Sequence, residues 1–252
     1  MRALLISAFF CARAAAQIIP PAGMVVEARS VKGVPYTAKI VSSTKRTLVT
    51  GSEISTSVTA PVARDSEGRI RREQSVLAVG GWVVERSESP TVIVIQDPVK
   101  MVNYVLDPRT HVARMNRQRP QLNPEEARKQ EANRRSEVNR REPRSERSEP
   151  LGAKVIEGQK TEGTRTVTTF PVGSVGNSAP IEVVTEAWYS PELQEVVYKK
   201  TNDPRFGETT YRLIEIKRVE PAASLFEVPS DYRIEEGERR EPERRKEEQL
   251  FR

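Results

Sequence analysis

This chain of 252 residues carries one cysteine, one histidine and two tryptophans. Cys11 sits in an apolar stretch near the N-terminus, so the rest of the chain has no thiol for a disulfide or a cysteine–metal site. One histidine, His111, cannot furnish a zinc site alone. A Ser-His-acid triad would have to use it, and no G-x-S-x-G elbow is present. His111 follows a turn and reads as a surface strand residue. There is no P-loop and no dinucleotide fingerprint, and the two glycines of GSVGN at 173–177 read as a turn. No cofactor, metal or catalytic residue is therefore expected. Aromatic residues make up 6% of the chain, and the most basic tract has none for base stacking, which argues against nucleic acid.

Long apolar runs are also missing. The one at residues 3–10 (ALLISAFF) is too short to span a bilayer. It follows Arg2 and precedes small-x-small patterns at 12–14 and 14–16, which are the marks of a signal peptide over 1–16, cut after Ala16. Phe9 and Phe10 in front of Cys11 argue against a lipid anchor there, so the expected address is the periplasm or the outside. The formal charge of +6 falls to +4 without Arg2 and Arg13. That modest excess leaves room for peripheral contact with an anionic membrane surface.

What is present is β pattern. After a lead-in at 17–32, strands are expected at 36–47, 54–64, 69–78, 91–96, 101–106 and 111–115, then at 164–170, 181–189, 194–200 and 208–218. Asp65-Ser66-Glu67-Gly68 and Gly80-Gly81 break the runs, and Gly158 and Gly163 are expected to mark turns. Asp97-Pro98, Asp107-Pro108, Ser190-Pro191 and Asp203-Pro204 lie between runs. Asp bonds the backbone two residues on, and Pro presets φ at the next turn position. Short turns between short strands give an antiparallel meander and leave no room for helical crossovers. One helical turn is expected at 224–226.

Two segments break the pattern. Residues 116–150 are nearly all polar, and from Arg117 to Glu149 ten Lys/Arg face seven Glu. Asn123-Pro124-Glu125-Glu126 is a fair helix start, but Ala127, Ala132 and Val138 form no apolar stripe. The tract is read as a charged insertion, partly helical or disordered. Residues 235–252, with seven acids and six bases, read as a disordered tail. Residues 33–115 and 151–234 then form one β domain.

Several strands are apolar on both sides. Tyr211 and Leu213 oppose Ile214 and Ile216, and Ile181 and Val183 oppose Val184 and Trp188. A sheet with one wet face would alternate more cleanly. The expected architecture is mainly β, a curved antiparallel sheet of half-barrel type with few short helices. A helix, another part of the sheet or an apolar ligand would cover its inner side. Val94, Tyr104, Trp188 and Tyr211 are the candidate ligand-lining residues.

Residues 187–232 read AWYSPELQEVVYKKTNDPRFGETTYRLIEIKRVEPAASLFEVPSDY. The Trp188 strand, the Ser190-Pro191 turn, the strands at 196–200 and 211–216, and Phe226 with Pro229 resemble the closing strands of the periplasmic lipoprotein-carrier superfamily, the LolA/LolB-like and RseB-like proteins. The resemblance implies a half-barrel that binds acyl chains or lipidated partners. This chain lacks an amphipathic helix before Tyr36, shows few helical plugs, and adds the tract from Asn116. Two functions follow: a non-enzymatic exported protein holding a lipid or acyl chain, or an envelope interaction or sensor protein using the sheet surface and the charged tract. A hydrolase built on paired acids from Glu182, Glu186 and Glu192 is the third possibility.

Overall fold

A computed structural model describes residues 30–75, 91–118 and 144–237, together with Lys129, Ala132, Asn133 and Ser136. The expectations for residues 1–16, for most of 17–32, for Gly80-Gly81 and for the tail beyond Gly237 lie outside the described residues.

Twelve strands form one open sheet: β1 (Tyr36–Thr47), β2 (Glu53–Arg64), β3 (Ile70–Ser75), β4 (Thr91–Asp97), β5 (Val102–Asp107), β6 (Val112–Arg117), β7 (Ser145–Ile156), β8 (Gln159–Phe170), β9 (Ile181–Ser190), β10 (Glu195–Asp203), β11 (Gly207–Lys217) and β12 (Arg233–Glu236). Their order is β12-β6-β5-β4-β3-β2-β1-β11-β10-β9-β8-β7. Two antiparallel meanders, β2–β6 and β7–β11, thus meet on β1, which pairs with β2 on one side and β11 on the other.

The turn chemistry works as the residue types demand. Asp97 Oδ1 accepts from the N–H groups of Val99 and Lys100, Asp107 Oδ1 from Arg109 N–H, and Asp203 Oδ1 from Arg205 N–H. Gly68 closes the β2–β3 turn at φ +82°, and a Cβ there would lie 2.8 Å from Ser30 Oγ. The helical turn at 224–226 is a 3₁₀ turn, Ala223–Phe226.

Four details depart from the sequence reading. Gly163 is no turn but lies inside β8, where the ring of Trp188 covers it. His111 sits in the β5–β6 turn at φ +50°, stacked on Tyr232 and 3.1 Å from Asp231. The chain past Ile234 continues as β12, pairing parallel with β6. β7 starts at Ser145, inside the charged tract, because Ser145 to Pro150 find partners in Thr169 to Thr164 of β8. Within that tract Lys129, Ala132, Asn133 and Ser136 are helical and exposed.

Strand alternation sends successive side chains to opposite faces, and each face holds its own core. Tyr36, Ala38, Val62, Ile70, Leu193, Val197, Tyr211 and Leu213 cluster on one side. Ala63, Ile95, Leu106 and Ala113 cluster on the other, beneath Phe226, with Val228 and Tyr232 packed alongside. The C-terminal segment therefore covers the β3–β6 half of the second face. No helix among the described residues is long and apolar enough to cross a membrane.

The first face curls inward. Arg64 on β2 and Glu195 on β10 are three strands apart, a separation of about 14 Å in a flat sheet. Their charged groups nevertheless lie 3.7 Å from each other. Tyr36 on β1 reaches the same carboxylate, 3.4 Å away, across β11. Bulges in β11 and β10 let the strands bend there: the register shifts between Thr37 and Lys39 of β1, opposite Glu215 at φ +54°, and between Val196 and Tyr198 of β10.

Candidate functional site: the inner face of the curled sheet

At the closed end of the inner face stands a buried polar cluster. Arg64 is fully buried, and its Nε donates to Val34 O at 3.0 Å while its Nη2 donates to Leu193 O. Its guanidinium lies 4.7 Å from the centre of the Tyr36 ring. Nη1 faces Glu195 as an ion pair but makes no hydrogen bond. One residue thus ties the strand β2, the approach to β1 and the β9–β10 turn together. Burial pushes the Glu195 carboxyl up from its usual range, against the pull of Arg72 and Arg64. Burial, with Glu195 adding to it, also holds Tyr36 and Tyr211 above the usual tyrosine range.

Above this floor the inner face of β2, β1 and β11 is largely apolar, bordered on β10 by Lys199 opposite Tyr211. Ile40 lies opposite Ala60 on β2 and Leu213 on β11, and Ser42 lies opposite Val58 and Tyr211. Val58, Ala60 and Ile40 are only half-buried. The 3₁₀ turn packs on β3 and β4 with the second core, so it does not fill this face.

Next comes a row of hydroxyls that the sequence reading did not find. Thr56 pairs with Thr44, Thr44 with Thr209, Thr209 with Thr201, Thr201 with Thr185, Thr185 with Thr166, and Thr166 with Ser148. Seven neighbouring strands of the sheet, β2-β1-β11-β10-β9-β8-β7, each place a Thr or Ser at one level of the inner face. Three of the steps are closed by direct hydroxyl–hydroxyl hydrogen bonds: Thr44–Thr56 at 2.6 Å, Thr185–Thr201 at 3.2 Å and Ser148–Thr166 at 3.0 Å. Cross-strand Thr pairs of this type stabilise a sheet. The signal in the sequence was the Ser/Thr richness of the strands, which became a row only when the register was known.

The register divides the four candidate lining residues. Val94 lies opposite Arg72 and Val105, and Tyr211 opposite Ser42, which places both on the inner face. Tyr104 lies opposite Ile95 and joins the second core. Trp188 pairs with Tyr198 and Gly163 on the outer face of the β7–β11 half. There Lys154 Nζ sits 3.6 Å above the Trp188 ring and 5.8 Å from that of Tyr198. Trp188 Nε1 is buried without a hydrogen-bond partner among the described residues.

The acids considered for hydrolysis do not converge. Glu186 lies opposite Arg165, and Glu192 pairs with Arg218 at 3.2 Å. Glu182 is exposed at the other end of β9. Among the described residues no three of His, Cys, Asp and Glu gather as a metal-binding group.

No protein-family model matches the chain, and no curated protein does. Solved structures are similar in outline. An uncharacterized conserved protein from Thermus thermophilus is 9% identical with a TM-score of 0.42, over 81% of this chain and 91% of that one. MucB in its Pseudomonas aeruginosa complex with MucA is 9% identical with a TM-score of 0.41, over 79% of this chain and 57% of that one. This chain therefore spans less than two thirds of MucB. A LolA superfamily protein from Nitrosomonas europaea is 6% identical with a TM-score of 0.30, over 77% of this chain and 90% of that one. The superfamily that residues 187–232 resemble is thus among the similar structures. At such scores the likeness assigns no ligand, partner or residue role.

Proposed function

We propose that this protein is a non-enzymatic exported binding protein that holds a lipid or acyl chain against the inner face of its curled sheet. The observation that carries the reading is the half-buried apolar band of Val58, Ala60 and Ile40 beside Tyr211, on the inner side of a curled sheet, with Val94 on the same face beyond Arg72. Apolar side chains on a concave surface lose water most completely to a ligand that follows the curve. The Arg64–Glu195 floor closes one end of that surface, and the hydroxyl row borders the band toward the other.

Native mass spectrometry of chain purified from the periplasm without detergent, with lipid extraction of the same sample, tests this. A co-purifying acyl-chain species near one per chain is expected. Val58→Trp, which fills the band, should abolish it while the circular dichroism stays that of a β protein. A ligand retained in full by a folded Val58→Trp chain would refute the inner face as the site.

A further inference from the structure

β7 is an edge of the sheet, twelve residues long and exposed along nearly its whole length. A long edge strand with unpaired N–H and C=O groups is a template for another strand. Its own residues restrict which strand can dock. Pro150 has no N–H to give, and in a sheet proline is tolerated where that side faces outward. Ser148 and Glu146, in step with Pro150, therefore turn their backbone groups toward the open edge.

We infer that the occupant of this edge is a second copy of the chain, paired β7 to β7 in antiparallel fashion with Ser148 opposite Ser148. A two-fold axis makes the same patch meet itself, and directly opposed side chains must share a face, so only registers joining like-facing residues are allowed. The register centred on Ser148 sets Arg147 against the copy's Glu149, and Glu149 against the copy's Arg147. The neighbouring registers fail. Centring on Glu146, Arg147 or Glu149 sets that charge against itself, and centring on Pro150 opposes two residues without N–H groups, so that pair makes no bond at all. Centring on Ser148 instead sets each Pro150 against the copy's Glu146, whose N–H still donates to the proline carbonyl. Arg147 has no ion-pair partner among the described residues, whereas Glu149 has Arg165 at 3.7 Å.

A second feature selects the same register independently. The hydroxyl row of the inner face runs across seven strands and ends on the edge at Ser148. Ser148 on Ser148 carries that row unbroken into the copy, with both inner faces on the same side of one continuous sheet.

Sedimentation equilibrium of the full chain over a wide concentration range should show reversible monomer–dimer exchange. Arg147→Glu, which leaves the Glu149–Arg165 pair intact, opposes Glu to Glu twice and should weaken the dimer at least tenfold; adding Glu149→Arg should restore it. Circular dichroism checks folding of each variant. Ser148→Cys in a Cys11→Ser chain should form a disulfide dimer under mild oxidation, because opposed Cα atoms at about 5.5 Å lie within disulfide reach. A chain that stays monomeric at every concentration overturns the inference. So does a dimer that ignores Arg147→Glu, or one in which Ser148→Cys does not cross-link.

Discussion

Gly163→Ala is a small change that should carry a large penalty. A Cβ built on Gly163 would stand 2.7 Å from Cη2 and Cζ3 of Trp188 and 2.8 Å from Cε3. Three ring atoms would have to retreat together, and Lys154 Nζ already sits 3.6 Å from the ring centre. Backbone strain does not enter, since Gly163 is not among the glycines at positive φ. If the ring shifts and stays covered, the cost is that of overpacking, about 1–3 kcal/mol. If it is expelled, the lost burial of an indole at about 25 cal/mol per Å² over roughly 150–250 Å² costs about 4–6 kcal/mol. We expect a loss of about 2–4 kcal/mol, between these limits, read as a shift in the urea midpoint at unchanged slope. With Trp82→Phe in the background Trp188 is the sole indole, and its emission should move to the red. The decisive control is the same alanine in a Trp188→Ala chain. There it should be neutral or stabilising by about 0.5–1 kcal/mol, because alanine loses less entropy than glycine in a strand. A penalty that is the same with and without Trp188, or one below about 0.5 kcal/mol in both, would refute the packing argument.

Arg64→Met should cost about 3–5 kcal/mol in thermal or denaturant unfolding, since it breaks a buried ion pair, leaving Glu195 to Arg72 and Tyr36, and takes the donor from two backbone carbonyls. Arg64→Lys should not rescue it, because one ammonium cannot reproduce the guanidinium fork. Tyr36 and Tyr211 have folded-state pKa values raised above the unfolded value, so their contribution is whole below the ordinary tyrosine range and is lost as pH rises. Absorbance titration should therefore show these two of the six tyrosines ionising only together with alkaline unfolding. Glu195, also raised, favours the fold most below the ordinary glutamate pKa and loses that contribution as pH rises through its folded value. The native carboxyl, followed by NMR, should titrate above the ordinary glutamate range. Asp203→Ala removes the acceptor of Arg205 N and Nε, both at 2.9 Å, and should cost about 1–2 kcal/mol of stability.

The strands and turns were legible because their causes are local. Asp97, Asp107 and Asp203 bond backbone groups two residues on, and no distant partner is involved. Strand 36–47 was read to the residue, since its Ser/Thr/Val/Ile content and flanking breaks suffice. Apolar side chains on both faces pointed to a sheet that is not wet on one side, and each face holds a cluster of buried residues. Which residue faces which surface was not legible: Val94 and Tyr104 look alike in sequence, but pairing with Val105 and Ile95 sends them to opposite sides. Gly163 carries the same letter whether it makes a turn or leaves a slot for an indole. Arg64 and Glu195 meet only because β1 and β11 bring distant segments together.

The place of β1 has a consequence for how the chain is made. A chain emerging N-terminus first can zip β1 onto β2 at once, but the other side of β1 waits for β11. Thr44 finds Thr56 early and Thr209 only when nearly the whole sequence has appeared. Distant pairing of this kind is slow, because loop closure must precede the contacts that reward it. Until then β1 is a naked seam in a half-built protein, open to any passing strand. A cell that makes this chain therefore gains from shielding the seam until synthesis is complete.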